Sequence, residues 1–221
     1  MRLPLVFRYA AREIALFVLL PLALAVLAAA LGQPLLAVLP GAFALFSINF
    51  FRDPERRPPG GEETLVSPAD GTVTDVIELD EPTFLKGRAV RIGIFLSVFD
   101  VHVNRAPLSG KIEFVEYRPG KFLDARKEEC SSQNEANWIG LASAGPGAPR
   151  FLVKQISGAI ARRIVCRLRP GDRVSRGERI GMIKFGSRTE LYIPVSARAT
   201  ILVCPGEKVR GGGTAVARLG D

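Results

Sequence analysis

The hydrophobic rhythm of the chain changes once, and sharply. Residues Ile14 to Leu31 read IALFVLLPLALAVLAAAL and Leu35 to Phe51 read LLAVLPGAFALFSINFF, two charge-free stretches joined by Gly32-Gln33-Pro34. Neither shows the spacing of a surface helix, so both predict helices that are apolar all round and folded back as a hairpin. At an α-helical rise each reaches roughly 26 Å, slightly short of a hydrocarbon core of roughly 30 Å. The following RDPERRPPGGEE, rich in proline and glycine, breaks all periodicity. The expected organisation is therefore a hairpin over residues 1–52, a linker over 53–63 and a globular domain over 64–221.

Within that domain the pattern is β-branched, often alternating, and frequently bounded by Gly or Pro. Val73–Ile77, Val90–Phe95, Ile112–Val115, Ile164–Cys166 and Ile201–Val203 all read as strands, and no long amphipathic helix lies between them. The prediction is a mostly-β domain. Pro170-Gly171-Asp172-Arg173-Val174 with Gly177 recurs as Pro205-Gly206-Glu207-Lys208-Val209 with Gly212. These turn-strand-turn units resemble those of barrel-sandwich hybrid folds such as biotinyl and lipoyl domains. A carrier reading follows, with Lys184 as the modified lysine.

Composition narrows the setting. The 221 residues suffice for one core and an appendage, and the formal charge of +8 suits an anionic surface. A mean hydropathy of +0.19 favours a membrane over nucleic acid, and three tyrosines and one tryptophan form no aromatic-basic motif. Arg2, Arg8 and Arg12 precede the hairpin, and Arg52, Arg56 and Arg57 follow it. By the positive-inside rule both ends, and with them the globular domain, face the cytoplasm. Cys130, Cys166 and Cys204 are widely spaced and odd in number, as in a reducing compartment, and no metal-ligand cluster is visible.

Three short stretches carry candidate chemistry, and each has an ordinary structural reading. His102 is the only histidine, in GIFLSVFDVHVNRAPLSG, where period two sets Asp100, His102 and Asn104 on one face. A solvated strand edge would look the same. Asp70 stands in Ser67-Pro68-Ala69-Asp70-Gly71, where Asp-Gly is a common turn pair. Gly186-Ser187, in Phe185-Gly186-Ser187-Arg188, lies between two apparent strands and reads first as a turn.

In this order, behind an apolar hairpin, SPADG, FLSVFDVHVNRAP and FGS resemble the short, membrane-anchored bacterial form of the phosphatidylserine decarboxylase family. Asn134-Glu135-Ala136-Asn137 resembles a further family stretch. The resemblance implies self-cleavage at Gly186-Ser187, giving a β chain of 1–186 and an α chain of 187–221 that stay associated. Ser187 would become a pyruvoyl group that forms a Schiff base with phosphatidylserine, an electron sink for decarboxylation to phosphatidylethanolamine. His102 would then be the acid/base residue and Asp70 the self-cleavage base. Arg105 stands where longer relatives have a second histidine, which leaves Asp70 acting directly on Ser187 or His102 serving both reactions. Asn104, Arg105 and Arg188 are candidates to hold the substrate. The implied setting is the bacterial inner membrane, cytoplasmic side, with anionic lipids as neighbours, no nucleic acid, no metal, and a homodimer left open. Two alternatives remain: a decarboxylase of another serine-headed phospholipid of the archaetidylserine type, and a non-enzymatic biotinyl- or lipoyl-like membrane adaptor.

Overall fold

Both apolar stretches are helical in the structure, a computed structural model that describes residues 7–144, 148–159, 163–184 and 186–220. The first comprises α1 (Phe7–Ile14), a π-helical turn (Ala15–Leu19) and α2 (Leu20–Ala30). It begins before the expected Ile14, and its 22-residue run Tyr9–Ala30 is long and apolar enough to cross a membrane, although Ala10 departs from helical dihedrals. The second, α3 (Pro34–Phe50), is a shorter apolar helix of 17 residues. Gly32, at φ +71°, ends α2 in a Schellman turn: its N–H donates to Ala29 O and that of Gln33 to Ala28 O. Phe17 meets Phe43 edge-on at 6.0 Å, closing the hairpin. Outward leucines stay bare, Leu35 at 86% and Leu39 at 81% exposure, a surface suited to lipid.

The chain divides into two compact units between Glu55 and Arg56, inside the stretch predicted as linker. The second unit is mostly β, as predicted. Its strands are β1 (Thr64–Val66), β2 (Gly71–Glu81), β3 (Gly87–Leu96), β4 (Val103–Arg105), β5 (Gly110–Arg118), β6 (Ala136–Ser143) and β7 (Arg150–Ile156). After these come β8 (Arg163–Cys166), β9 (Arg173–Val174), β10 (Arg179–Lys184), β11 (Ser187–Pro194), β12 (Thr200–Ile201), β13 (Lys208–Val209) and β14 (Ala215–Arg218). A short helix, α4 (Glu129–Gln133), precedes β6. Eight strands form one antiparallel sheet in the order β13-β2-β3-β11-β7-β6-β5-β9, and two three-stranded sheets run β1-β14-β12 and β4-β10-β8.

That order is symmetrical about its middle, and the symmetry explains the sequence repeat. The two Pro-Gly units supply the edge strands β9 and β13, which pair with β5 and β2 in equivalent registers, Gly110 opposite Val174 and Gly71 opposite Val209. The turn bonds also correspond: Gly171 N–H donates to Ile112 O and Asp172 O accepts from Ile112, as Gly206 donates to Val73 O and Glu207 O accepts from Val73. Ser67–Gly71 and Ala106–Gly110 are consequently twins, SPADG and APLSG. β11 lies between the two Pro-Gly units in sequence and at the centre of the large sheet, between β3 and β7.

Alternation along β11 separates two interiors. Leu191 and Ile193 join the main core with Ile92, Ile94 and Leu96 of β3, whereas Tyr192 joins a smaller cluster with Trp138, Leu152 and Ile156. Period two puts Ser187 and Thr189 on the main-core face and Arg188 and Glu190 on the other.

Candidate active site at the β10–β11 turn

β10 ends at Lys184 and β11 begins at Ser187, so only residues 185 and 186 separate the two strands in sequence. Phe185 lies outside the described residues. Gly186 has φ +63°, a left-handed conformation that glycine adopts without a Cβ penalty. β4 pairs with β10, Val103 opposite Met182, and Ile183 N–H donates to His102 O at 3.2 Å. This pairing carries the fully buried imidazole of His102 to the turn, where Gly186 N–H donates to His102 Nε2 at 3.3 Å. On the other side of the ring Nδ1 lies 2.9 Å from Asp100 O. A carbonyl only accepts, so Nδ1 carries the hydrogen and Nε2 presents a lone pair to Gly186. Asp100 is itself fixed, its carboxylate accepting from the N–H and hydroxyl of Ser97.

Ser187 is fully buried and its Oγ has no hydrogen-bond partner. Among the described residues only one other buried side-chain oxygen, Glu135 Oε2, shares that condition. A buried hydroxyl ordinarily finds a partner, so this one needs an explanation. Neither His102 nor Asp70 is bonded to it in this state. The same face of the sheet carries a chain of amides: Asn137 donates to Gln155 Oε1, Gln155 to Asn104 Oδ1, and Asn104 to Thr189 Oγ1 at 2.9 Å. Asn104 is thereby committed to β11 rather than turned outward.

Asp70 has both carboxylate oxygens engaged. Oδ1 accepts from Gly211 N–H at 2.7 Å, as its twin Ser109 accepts from Arg176 N–H at 3.0 Å, so half of the carboxylate performs the turn's structural duty. Oδ2 has no counterpart in the serine twin, and it pairs with Arg56 at 2.8 Å. Arg105 is buried and donates to Gly177 O at 3.0 Å.

Arg188 lies on the far face of β11, 2% exposed. Its guanidinium pairs with Glu190 at 2.7 Å and with Asp75, and donates to Thr74 Oγ1. These contacts tie its guanidinium to β2 and to its own strand, on the face of β11 opposite Ser187. Lys184 is 4% exposed, which denies it the accessibility a carrier lysine needs. Among the described residues no cluster of potential metal ligands occurs. Two open clefts of ≈ 580 and ≈ 600 Å³, both lined by Lys111, Glu113 and Arg150, are not lined by His102, Gly186 or Ser187.

Sequence reasoning did not find Gly158, which packs on the Gly186 carbonyl, or the Asp100 carbonyl that orients His102. A lone glycine after a strand gives no signal, and a backbone carbonyl gives none either. The SPADG/APLSG likeness, by contrast, stands in the sequence.

Residues 43–217 match the family model described as phosphatidylserine decarboxylase. A protein named phosphatidylserine decarboxylase proenzyme from Symbiobacterium thermophilum is 48% identical over 219 residues, 99% of this chain and 98% of that protein. One of the same name from Carboxydothermus hydrogenoformans is 51% identical over 175 residues, 79% of this chain and 80% of its own. Another from Salinibacter ruber is 47% identical over 188 residues, 84% of this chain and 81% of its own.

Proposed function

Because the chain belongs to the phosphatidylserine decarboxylase family, we propose that it converts phosphatidylserine to phosphatidylethanolamine and CO₂ after cutting itself between Gly186 and Ser187. The observation that carries this reading is the buried, unpartnered Ser187 hydroxyl beside a left-handed glycine. The name proenzyme on the relatives agrees with processing of the chain.

In the first reaction Ser187 Oγ bonds to the Gly186 carbonyl carbon, and the Gly186–Ser187 C–N bond breaks to leave an ester and a free amine. Loss of the Ser187 α-proton then breaks the ester's O–Cβ bond. Gly186 becomes a carboxylate, and the dehydroalanine left at 187 tautomerises and takes up water, releasing ammonia and leaving a pyruvoyl ketone. The residues present fit such a group. Ser187 supplies its carbons, Gly186 has no Cβ to block attack, and the main-core interior keeps bulk water out. When formed, the ketone supplies the electron sink for the pair left by CO₂. Asp70, through Oδ2, is the proposed base for cleavage. His102, held in one tautomer by Asp100 O, is the proposed donor of the proton that replaces CO₂ at the substrate α-carbon.

The new α chain would not leave. β11 is hydrogen-bonded between β3 and β7, β13 to β2, and β14 to β1, all within the larger fragment. The apolar hairpin supports membrane association, and its flanking arginines support a cytoplasmic catalytic domain. The test is the mass of the purified protein: a 23.9 kDa precursor is expected to give fragments of about 20 and about 4 kDa, and Ser187→Ala a single intact chain. Fully active protein in one piece refutes the reading.

A further inference from the structure

Asn134 and Glu135 open the NEAN motif, and nothing in the proposed chemistry uses them. The structure places them behind the scissile carbonyl. β7 pairs antiparallel with β11, Arg188 opposite Ile156, and the same register continued by two residues sets Gly158 opposite Gly186. A Cβ on Gly158 would fall on the Gly186 carbonyl oxygen, closer than van der Waals contact allows, and 3.1 Å from the carbonyl carbon. Gly158 is not among the positive-φ glycines, so space rather than backbone conformation demands glycine there. What points at the oxygen instead is a Cα–H, a weak donor that holds direction without blocking approach.

The residue before it is locked. Ser157 N–H and Ser157 Oγ both donate to Glu135 O, at 2.9 and 3.1 Å, and Ser157 O accepts from Asn134 Nδ2 at 2.8 Å. The Asn134 amide is itself clamped on the backbone of Leu123, giving to its carbonyl and accepting from its N–H, each at 2.9 Å. Ala125 closes the other side, its Cβ 3.2 Å from the place a Gly158 Cβ would take. Ser157 therefore has no freedom to slide, and Gly158 follows it.

We infer that Gly158, fixed through Ser157 by Asn134 and Glu135, is a positioning residue that presents the Gly186 carbonyl to Ser187 Oγ for self-cleavage. The inference rests on the cleavage reading above. Attack requires the carbonyl carbon to stay within reach while its oxygen swings from the trigonal to the tetrahedral position. A methyl group on Gly158 pushes the carbonyl aside, and a displacement of about 1 Å costs on the order of 10²-fold in rate.

The experiment follows newly synthesised full-length chain by gel over time, comparing wild type, Ser187→Ala, Gly158→Ala and Asn134→Asp, with thermal unfolding and trypsin resistance measured on each. Hydroxylamine, which cuts an ester but not the amide, is added to parallel samples. Gly158→Ala is expected to stay folded, to cleave at least about tenfold more slowly, and to yield no extra cleavage with hydroxylamine, because its block precedes the ester. Asn134→Asp keeps the acceptor toward Leu123 N–H and loses the donors to Leu123 O and Ser157 O, so a several-fold slowing is expected in a chain that still folds, with a lowered unfolding temperature. A folded Gly158→Ala that matures at the wild-type rate, or one that hydroxylamine cuts freely, overturns the inference. If Gly158→Ala fails to fold, Asn134→Asp decides alone, and wild-type maturation in it is fatal. Wild type that never cleaves refutes the parent reading and is recognisable as such.

Discussion

Gly186 donates its amide N–H to Nε2 of His102, so the only imidazole in the chain is bonded to the residue on the acyl side of the proposed cut. The bond exists only while Nε2 is bare, since a protonated ring has no acceptor. Before cleavage His102 is thus a neutral acceptor held by Asp100 O. The proposed cleavage would make the Gly186 segment a chain end no longer tied through Ser187, which would leave Nε2 able to take and return a proton.

His102→Ala is expected to separate the two reactions. The imidazole is not hydrogen-bonded to Ser187 Oγ, so cleavage should proceed at least in part. Phosphatidylethanolamine formation by the matured fraction should fall by about 10²-fold or more, the scale of a lost general acid/base. A gel for cleavage and a product assay normalised to cleaved protein measure this. Normal turnover removes His102 from the chemistry.

The hairpin, the β-rich domain and the three motifs were legible because each rests on local pattern: charge-free length, alternation, and residue types in order. The surroundings of Arg188 were not legible, for a physical reason. Sequence sets it beside Ser187, but period two turns it to the opposite face, where Asp75 arrives from β2 and Glu190 from its own strand. The main support of the site, Ser157-Gly158, was illegible because its meaning lies in a register between β7 and β11 that no local signal fixes. Asp70 falls between these cases. The Asp-Gly turn was readable, whereas the Arg56 ion pair joins residues that only the fold brings together.

The Arg188 network makes a stability prediction. Arg188→Ala removes one of the two cations held by the buried Glu190 and the half-buried Asp75, Arg91 being the other, a loss of about 1–3 kcal/mol in urea unfolding of the detergent-solubilised chain. Arg188→Lys should recover part of this only, since one ammonium cannot reproduce the forked contacts to Glu190, Asp75 and Thr74. Stability equal to wild type in Arg188→Ala contradicts the role.

The same network fixes the sign of an acid effect. Burial alone would raise the Asp75 carboxyl, but the Thr74 hydroxyl and the Arg188 and Arg91 guanidinium groups outweigh it and hold the pKa below the ordinary value. A depressed folded pKa stabilises the fold above the unfolded value, about 3.9, and this is lost as pH falls through the lower folded value. Asp75→Asn should therefore be less stable than wild type at pH 7, with the two curves converging below about pH 3.9. Curves that stay parallel well below that pH refute the assignment.

Arg56 sets where a truncation must fall. The compact units divide between Glu55 and Arg56, and Arg56 belongs to the β unit through its pair with Asp70. A chain starting at Arg56 should lose tight membrane attachment and retain only a salt-sensitive affinity for anionic vesicles. Removing residues through Arg57 should in addition lower the unfolding temperature. Flotation with vesicles at low and high salt tests the first point. Attachment that resists both salt and carbonate means the hairpin is not the anchor.

The last prediction concerns Asp70, whose two oxygens have separable duties. Ser109 shows that a hydroxyl suffices to receive the turn amide in the twin position, so Asp70→Ser should keep the bond to Gly211 N–H and the local fold. It removes Oδ2, the oxygen with no counterpart in the twin. If that oxygen is the cleavage base, Asp70→Ser accumulates the uncleaved chain while still folding, with only the lowering of unfolding temperature that loss of the Arg56 pair brings, and Asp70→Asn, which keeps the shape but not the basicity, does the same. A purely structural Asp70 gives the opposite result: Asp70→Ser matures normally because the turn is intact. Gels of both variants beside their melting curves distinguish the two, and complete maturation of either one transfers the base to His102.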